Sequence, residues 1–480
     1  MKTQAWNPFL PSYEYIPDGE PHVFDGRLYL YGSHDRFNGK TFCMNNYVAW
    51  SAPIDDLGAW RFEGEIYDKK NDPLCGGMNS HMYAPDVQRG PDGRYYLFYA
   101  FDFSGIISVA VCDRPTGQYR FFGHVHHSDG TLLGKARRDP FMFDPGVFVD
   151  DDHRIYLYTG FVPKPITKFY LLGKGKLDGA YVTELAPDFL TVKVEPRLIW
   201  SGRGKATDGT SSGHAFFEAS SLRKFGDTYY FVYSSELNHE LCHAIGKTPL
   251  GPFRYGGTLV SNANIGYEGR TARQATSYYG NNHGSLVQVN DAYYVFYHRQ
   301  TNRHEYSRQA CAERIVMGPD GVFRQTEMTS CGLNGGPLKG IGTYPAHIAC
   351  HLSSRCGTGS YSPLVFKSYR NHPYLTQTGV DRNDRPDQYV ANMRDGSVVG
   401  YKDFECIGLK RVVLCVYASG KGEIQMFNDL SSKPLASAPV RSGSILTDIA
   451  LDIETLSGIH PLYFKYVGKG HIDLHRLTLS

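Results

Sequence analysis

The chain has 480 residues and a formal net charge of +2, so it is long enough for two or three domains and nearly neutral. It has no basic stripe that would indicate nucleic-acid binding and no charged tail that would indicate a membrane surface. No apolar run approaches the roughly 18 residues of a membrane-spanning helix. The segment from Met1 to Pro8 lacks the apolar stretch of a signal peptide, so a cytoplasmic protein is expected.

One short phrase occurs five times in the first 300 residues, as a polar turn followed by an alternating aromatic run. This pattern predicts a β-hairpin. The copies lie roughly 60 to 75 residues apart, which leaves room for a four-stranded blade with long loops. They predict a five-bladed β-propeller and occupy residues 25–31, 92–98, 152–158, 226–233 and 290–297.

A polar residue precedes each copy at a similar offset: Asp18, Asp86, Asp144, Glu218 and His283. Equivalent positions of a propeller lie on the innermost strands, around the central axis. We therefore expect four carboxyls and one histidine to face one cavity. Acids that converge in this way shift each other's pKa values apart, as acid–base catalysis requires.

The rest of the chain also reads as β-structure. Residues 1–330 are predicted to form the propeller, with the ring closed by contact of residues 7–11 with residues 308–315. Residues 331–375 are predicted to be a connector. Residues 376–480 alternate apolar and polar side chains in short runs, which predicts a β-sandwich of the jelly-roll type. No segment has a sustained helical period, so the chain is expected to be all-β.

The ten cysteines show no Cys-x-x-Cys pair, and several lie inside strand-like runs. They are predicted to be mostly free, buried thiols in a reducing compartment. A disulfide among Cys331, Cys350 and Cys356 is the alternative. A zinc site is not expected, because the required ligand spacing is missing.

The phrases around the expected cavity resemble the motifs of glycoside hydrolase family 43. Asp18 follows Asn-Pro-Phe-Leu-Pro and Ile-Pro, which is similar to the motif of the family's general base. Asp144, in Phe-Asp-Pro, is similar to the motif whose acid tunes pKa values and orients substrate. Glu218, in Phe-Glu-Ala, is similar to the motif of the general acid. The resemblance covers the whole propeller and implies that these three residues are catalytic.

The resemblance also implies roles for three neighbours. Tyr83, in Tyr-Ala-Pro-Asp, stands where the family usually has a tryptophan, which implies an aromatic platform for the sugar. His283 matches an axial histidine that can bind calcium or water. Arg308 matches an arginine near the acids and is expected to hold Asp144 ionised.

Other polar residues near the repeats have weaker signals. His34 and Asp35 directly follow the first hairpin and are further candidates for the substrate pocket. Asp86 is in phase with the three acids, but the resemblance implies a structural role. The phrase Arg-Asp-Pro at Asp139 resembles the signature of retaining fructan-hydrolysing propellers. In those propellers the general acid belongs to a Glu-Cys motif in the fourth blade. The only Glu-Cys pair in this chain begins at Glu405, in the terminal domain.

These assignments imply an inverting exo-glycosidase. Asp18 would deprotonate a water while Glu218 protonates the leaving oxygen, with the two carboxyls about 6.5–9.5 Å apart. Burial and the charge of Asp144 are expected to raise the pKa of Glu218. No cofactor is required, and a calcium ion near His283 would be structural.

The expected substrates are terminal α-L-arabinofuranosyl residues of arabinoxylan-type oligosaccharides. The alternatives are β-D-xylosidase activity, alone or as a second activity of the same pocket, and a propeller that binds carbohydrate without catalysis. The tail resembles a family 6 carbohydrate-binding module in the phrases at residues 400–404 and 458–468. It is either a sugar binder or a structural lid on the propeller.

Overall fold

The computed structural model describes residues 3–102, 104–164, 167–168, 171, 173–202, 213–361 and 371–480. Its fold is all-β, with a five-bladed propeller followed by a C-terminal β-sheet domain, as predicted. Among the helices of the described residues, none combines the length and the apolar character needed to cross a membrane.

Each of the first four blades is a meander of four antiparallel strands in sequence order, and the fifth has three described strands. Blade 1 contains β1 (Glu20–Phe24), β2 (Arg27–Tyr31), β3 (Tyr47–Pro53) and β4 (Arg61–Tyr67). Blade 2 contains β5 (Met82–Arg89), β6 (Tyr95–Phe101), β7 (Ile107–Cys112) and β8 (Arg120–His124). Blade 3 contains β9 (Gly146–Val149), β10 (Ile155–Gly160), β11 (Gly179–Leu185) and β12 (Val192–Ser201). Blade 4 contains β13 (Phe216–Phe225), β14 (Thr228–Ser235), β15 (Glu240–Gly246) and β16 (Arg254–Ser261). Blade 5 contains β17 (Leu286–Val289), β18 (Ala292–Thr301) and β19 (His304–Ile315).

The repeated phrase forms the hairpin between the first and second strands of each blade. In blade 1 the turn residues Asp25 and Gly26 have φ values of 46° and 75°. Left-handed conformations at both central residues are typical of the two-residue turns that match the twist of a hairpin. The aromatic run then becomes the second strand, which is buried on both faces because a neighbouring blade packs on each side, as all of β6 shows.

The ring is closed by the N-terminal segment, as the sequence predicts. The Asn7 side-chain amide donates hydrogen bonds to the Ala312 carbonyl at 3.1 Å and to Glu313 at 2.7 Å, and it accepts one from the Ala312 amide at 3.0 Å. Phe9 packs edge-on against Phe296, with ring centroids 5.4 Å apart. Residues from the two ends of the propeller therefore share one apolar cluster.

The C-terminal domain is one continuous hydrogen-bonded network of ten described strands. It is organised by two long strands, of 21 and 23 residues, which are interrupted by bulges. Side chains from the whole network bury one common apolar core. The strands are β20 (Leu338–Lys339), β21 (Gly342–Pro345), β22 (His351–Ser353), β23 (Tyr374–Gln377), β24 (Gln388–Met393), β25 (Val398–Ala418), β26 (Lys421–Phe427), β27 (Ala436–Val440), β28 (Thr447–Lys469) and β29 (Ile472–Leu479).

The segment 331–375, predicted as a connector, contributes to this sheet. β20 and β22 pair with β25, and β21 pairs with β29. Short strands with few apolar residues give a weak sequence signal, and here their pairing partners lie far along the chain. All ten cysteines are free, as expected, and the alternative disulfide among Cys331, Cys350 and Cys356 does not form.

Candidate active site

The three acids expected to be catalytic surround one cavity at the propeller axis. The innermost strands contact one another in a ring, because β1 touches β5 and β17, and β9 touches β5 and β13. Asp18 and Asp144 each lie two residues before the first residue of β1 and β9, while Glu218 lies within β13. The cavity has a volume of about 640 Å³. It is lined by Asp18, Phe42, Tyr83, Asp102, Phe141, Phe143, Asp144, Phe161, Lys164, Thr167, Leu171, Phe217, Glu218, Asn238, Asn281, His283, Glu305, Tyr306, Arg308, Ser360 and Tyr361.

Unusual backbone conformations accompany the acids. Asp18 and Asp144 have φ values of 57° and 46°, and Ala219, next to Glu218, has a φ of 69°. The pairing of β13 with β14 shifts register on both sides of Glu218. Bulges of this kind re-aim a side chain next to active sites, and left-handed non-glycine residues cluster at functional sites.

Asp18 is held ionised by a buried arginine. Arg308 donates a hydrogen bond to its carboxylate at 2.8 Å, and only 2% of Arg308 is exposed. Burial alone would raise the pKa of Asp18, but the charge of Arg308 outweighs burial and lowers it. The carboxylate is therefore charged and able to accept a proton at neutral pH.

The same arginine binds Asp35 more extensively than it binds Asp18. The Arg308 backbone N–H and Nε both donate to Asp35 Oδ2, at 3.0 and 2.9 Å, and a terminal nitrogen donates to Oδ1 at 3.1 Å. The expectation that Arg308 holds Asp144 is corrected here, because in the described structure its donors go to Asp35 and Asp18. Asp35 lies outside the cavity wall and orients the arginine.

Glu218 and Asp144 are in the opposite electrostatic situation. Burial, and next the charge of Asp18, raise the pKa of Glu218 to about 8. Burial, and next the charge of Glu218, raise the pKa of Asp144 well above its ordinary value. The direction expected for Glu218 is confirmed, although the charge that contributes most is that of Asp18. Glu218 is protonated at neutral pH, as a general acid must be.

Two buried histidines lie beside Asp18, and of these His283 lines the cavity. His283 Nδ1 lies 3.6 Å from Asp144 and 4.0 Å from Asp18. His298 Nδ1 accepts a hydrogen bond from the Asp18 backbone N–H at 3.3 Å, while its Nε2 donates to the Asn281 carbonyl at 2.7 Å. Burial lowers the pKa of His283 to about 4 and that of His298 to about 3, so both are neutral.

Aromatic rings form the wall, and Tyr83 is among them as expected. Its ring centroid lies 5.3 Å from Phe143 and 6.4 Å from Phe42. Phe42 lies over the Arg308 guanidinium, 4.7 Å from ring centroid to guanidinium carbon, and packs edge-on against Tyr306 at 4.8 Å. These rings offer apolar faces of the kind that sugar-sized ligands contact in pockets.

Asp86, expected to be structural, lies outside the cavity wall and fastens the innermost strands together. It accepts hydrogen bonds from His22 at 2.6 Å and from the Val147 amide at 2.8 Å, which joins blades 1, 2 and 3. Burial would raise the pKa of Asp86, but the charge of His22 and its hydrogen bond lower it. Its contacts agree with the structural role expected for Asp86.

His34 does not line the cavity among the described residues, although the sequence made it a candidate. Its Nδ1 donates to the Asn46 carbonyl at 2.7 Å, and its Nε2 accepts from Arg382 of the C-terminal domain at 2.9 Å. Asp139 also lies elsewhere, where it contacts His127 at 3.2 Å. This position agrees with the rejection of the fructan-type signature.

Sequence reasoning missed several wall residues. Glu305 and Tyr306 lie only two or three residues before Arg308, so their proximity to a candidate arginine was an available signal. Asn238 and Asn281 lie in loops next to the fourth and fifth repeats. Tyr361 follows β22 of the C-terminal domain and has no sequence signal, because only the tertiary structure brings it to the cavity.

A five-bladed propeller with a charged carboxylate and a protonated carboxyl around an axial cavity defines a glycoside hydrolase. A model of the family described as glycosyl hydrolases family 43 matches residues 21–323. A protein named xylosidase/arabinosidase from Thermoclostridium stercorarium is 47% identical over 482 residues, which span 100% of this chain and 99% of that protein. The chain therefore belongs to glycosyl hydrolases family 43.

Solved structures show the same fold. An arabinoxylan arabinofuranohydrolase from Bacillus subtilis, in complex with cellotetraose, has a TM-score of 0.51 at 20% identity. The match covers 99% of this chain and 97% of that one. A β-xylosidase/α-arabinofuranosidase from a compost metagenome, in complex with xylotriose and in a calcium-free form, has a TM-score of 0.54 at 24% identity. The match covers 68% of this chain and 98% of that chain.

Proposed function

We propose that this glycoside hydrolase removes terminal α-L-arabinofuranosyl residues from arabinoxylan-type oligosaccharides with inversion at the anomeric carbon. The observation that carries the proposal is the split in charge between two buried carboxyls, with Asp18 ionised and Glu218 protonated. A β-D-xylosidase activity of the same pocket is the second candidate. The name of the Thermoclostridium relative supports both sugars equally.

The reaction follows from these two charge states. The Asp18 carboxylate takes a proton from a water whose oxygen attacks the anomeric carbon. Glu218 gives its proton to the glycosidic oxygen as the bond to the anomeric carbon breaks, so the leaving sugar departs as a neutral alcohol. Arg308 keeps Asp18 charged before the reaction, and Phe42 over the guanidinium keeps water away from it.

Asp144 influences the protonation of Glu218 and does not activate the attacking water. Its raised pKa and its mutual repulsion with Glu218 mean that the pair binds a proton readily at neutral pH. A proton retained by this pair is available to the leaving oxygen. Asp144 also lies 3.6 Å from His283, which orients it.

The residues also fit a structural cation at the axis, next to His283. His283 Nε2 lies 4.0 Å from Glu20 Oε1, a buried oxygen without a hydrogen bond in the described part of the chain. Burial raises the pKa of Glu20 to about 8, so a cation there would displace a proton from this carboxyl. Ca²⁺ takes about six to eight oxygens, so waters would supply most of the other ligands. Such an ion would add positive charge below the acids.

The test is release of nitrophenol from α-L-arabinofuranoside and β-D-xylopyranoside substrates, with the anomer of the first product read by NMR. The expected result is activity on the arabinofuranoside that Asp18→Ala abolishes, an inverted product, and a Glu218→Ala variant that loses far more activity on an oligosaccharide than on the nitrophenyl substrate. Activity on the xyloside alone would mean that the substrate is a β-D-xyloside and not an α-L-arabinofuranoside. A product that keeps the anomeric configuration of the substrate would overturn the inverting mechanism. Absence of turnover on both would favour a propeller that binds carbohydrate without catalysis.

A further inference from the structure

Blade 4 brings three side chains of metal-binding types together outside the axial cavity. His214 Nδ1, Glu240 Oε1 and Cys242 Sγ all lie within 4.8 Å of one another. None of these three residues lines the cavity in the part of the chain that the structure describes. An imidazole, a carboxylate and a thiolate are the three kinds of ligand that proteins offer to zinc. The cluster therefore has the composition of a zinc site.

Strand geometry explains why two of the ligands lie side by side. Glu240 and Cys242 are two residues apart on β15, so their side chains point to the same face of the strand. Leu241 between them packs in a different apolar cluster from Cys242, as this alternation requires. His214 comes from the segment before β13, 26 residues before Glu240, so the spacing of residues in the sequence gives no sign of the cluster.

The ligand atoms are spaced nearly as a tetrahedral zinc site requires. Bond lengths of about 2.0–2.3 Å to nitrogen, oxygen and sulfur place neighbouring ligand atoms roughly 3.4–3.6 Å apart. Cys242 Sγ lies 3.4 Å from Glu240 Oε1 and 3.9 Å from His214 Nδ1. His214 Nδ1 lies 2.6 Å from the same Glu240 oxygen. The main adjustment on binding is therefore a separation of this last pair by roughly 0.8 Å.

Neighbouring groups hold the ligands in place. Thr258 Oγ1 donates a hydrogen bond to Glu240 Oε2 at 2.9 Å, which leaves Oε1 turned towards the histidine and the thiol. The His214 ring lies within 20° of parallel to Tyr255, with ring centroids 5.2 Å apart. The Tyr233 hydroxyl donates to the His214 carbonyl at 2.8 Å. Outer contacts of this kind orient the ligands of metal sites.

The cluster holds protons that a metal ion would displace. His214 Nδ1 and the Cys242 thiol both donate to Glu240 Oε1, as does the Ser235 hydroxyl at 2.6 Å. On binding, the thiol gives its proton to solvent, and the neutral imidazole carries its proton on Nε2 instead of Nδ1. The His214 side chain is 30% exposed, so water reaches the edge of the cluster.

We propose that His214, Glu240 and Cys242 bind a zinc ion, with a water molecule as the fourth ligand. The thiolate favours zinc over calcium and magnesium, which prefer oxygen ligands. The ion ties the segment before β13 to β15, four residues before Glu218. Its role is structural, and no step of the proposed reaction uses it.

The experiment titrates Co²⁺ into the full chain without an affinity tag. Co²⁺ occupies tetrahedral zinc sites and, when a thiolate binds it, absorbs in the near ultraviolet through sulfur-to-metal charge transfer. One equivalent of Co²⁺ is expected to produce this band, and Zn²⁺ is expected to remove it. Cys242→Ser should abolish the band, and His214→Gln should raise the Kd for Co²⁺ at least about tenfold.

Cys112→Ser is the matched control and should leave the band unchanged. Cys112 is also a buried, free cysteine on the third strand of a blade, but it belongs to no cluster of metal-binding side chains among the described residues. Zn²⁺ should also raise the melting temperature of the wild type and of Cys112→Ser, because an ion that binds only the folded chain stabilises it. His214→Gln should lose this rise.

Three results would overturn the site. These are a wild type without the band, a band that Cys242→Ser leaves unchanged, and a His214→Gln variant that binds Co²⁺ as tightly as the wild type. If Cys242→Ser fails to fold, His214→Gln decides the question, because this side chain lies at the exposed edge of the cluster. The band requires a thiolate, so a cation bound by oxygens near Glu20 would not produce it.

Discussion

At the residue scale, the active site separates two carboxyls of the same chemistry by their surroundings. Asp18 has the Arg308 guanidinium at 2.8 Å, whereas burial and next the charge of Asp18 dominate at Glu218. The arginine is shared with Asp35, so the hydrogen bonds of one guanidinium go to two acids and none goes to Glu218 among the described residues. The proposed assignment of Asp18 as base and Glu218 as acid thus follows from the position of the Arg308 guanidinium.

The alkaline limb of the pH–rate profile should report the proton on Glu218. Its pKa of about 8 means that the general acid is present below this pH and lost above it. We expect kcat/KM to fall about tenfold per pH unit above pH 8. The measurement is initial rates between pH 5 and pH 10. A profile that stays flat to pH 10 on a substrate with a poor leaving group would contradict the assignment.

Glu218 should also make the folded state less stable as the pH rises. Its folded pKa lies above the ordinary value of 4.5, so its contribution to stability is complete at low pH and is lost as the pH rises towards 8. Glu218→Gln cannot ionise, and we expect it to exceed the wild type in unfolding free energy by a few kcal/mol at pH 9. The two proteins should be similar at pH 4.

Urea unfolding at both pH values measures this difference, because the midpoint reports stability when the slope is unchanged. Glu454→Gln, at an exposed position of the C-terminal domain, serves as the control and should show no such dependence on pH. A stability gain for Glu218→Gln that is equal at pH 4 and pH 9 would contradict the ionisation argument.

At the element scale, the β2–β3 loop (residues 32–46) is held by the C-terminal domain. Asp381 accepts hydrogen bonds from the Phe37 backbone N–H at 2.7 Å and from the Asn45 side chain at 3.1 Å. These two residues lie on opposite arms of the loop, and Phe42 lies between them. One carboxylate from the C-terminal domain therefore fixes the position of a ring in the cavity wall.

Asp381→Asn should loosen this loop, because its amide group would face N–H donors on one side. We expect faster hydrogen exchange in residues 32–46 and a rise in KM of roughly threefold to tenfold, as for one or two lost hydrogen bonds. The control is Asp384→Asn, which removes the same charge from an exposed position of the β23–β24 loop, the loop that also contains Asp381. Unchanged exchange in residues 32–46 of Asp381→Asn would contradict the positioning role.

At the scale of the whole molecule, the C-terminal domain is an integral part of the catalytic unit. Arg382 donates to the buried carboxylate of Glu14 and to His34, and Tyr361 lines the cavity. Backbone hydrogen bonds also join the domains, such as the Asn302 amide with the Leu375 carbonyl at 2.8 Å. These contacts favour a structural role for the domain, and a carbohydrate-binding role stays a prediction.

A chain that ends at residue 330 should therefore be impaired even on a small aryl substrate. Removal of Arg382 leaves the buried Glu14 carboxylate without its cation; because 34% of the Arg382 side chain is exposed, the cost is below the roughly 3–5 kcal/mol of a fully buried pair. We expect a lower melting temperature and a kcat/KM reduced by at least about tenfold. A shortened chain with full activity and an unchanged melting temperature would show that the domain is an independent module.

The sequence predicts those parts of the fold and of the site that recur at a regular spacing along the chain. Asp18 and Glu218 recur in phase with five hairpins, so a single cavity could be predicted before any coordinates. The partner of Arg308 could not, because the choice between Asp35 and Asp144 depends on side-chain geometry. Asp381 had no signal at all, because its partners lie more than 300 residues away in the sequence.

The closure of the ring by Asn7 has a consequence for biosynthesis. Its partners, Ala312 and Glu313, are 305 and 306 residues further along the chain. During translation, the side of blade 1 that packs against blade 5 stays uncovered until the fifth blade has left the ribosome. Contacts of such long sequence separation form slowly, and unpaired strand edges can aggregate meanwhile. The ring that shelters the acids is thus closed by a contact that can form only after the fifth blade has been made.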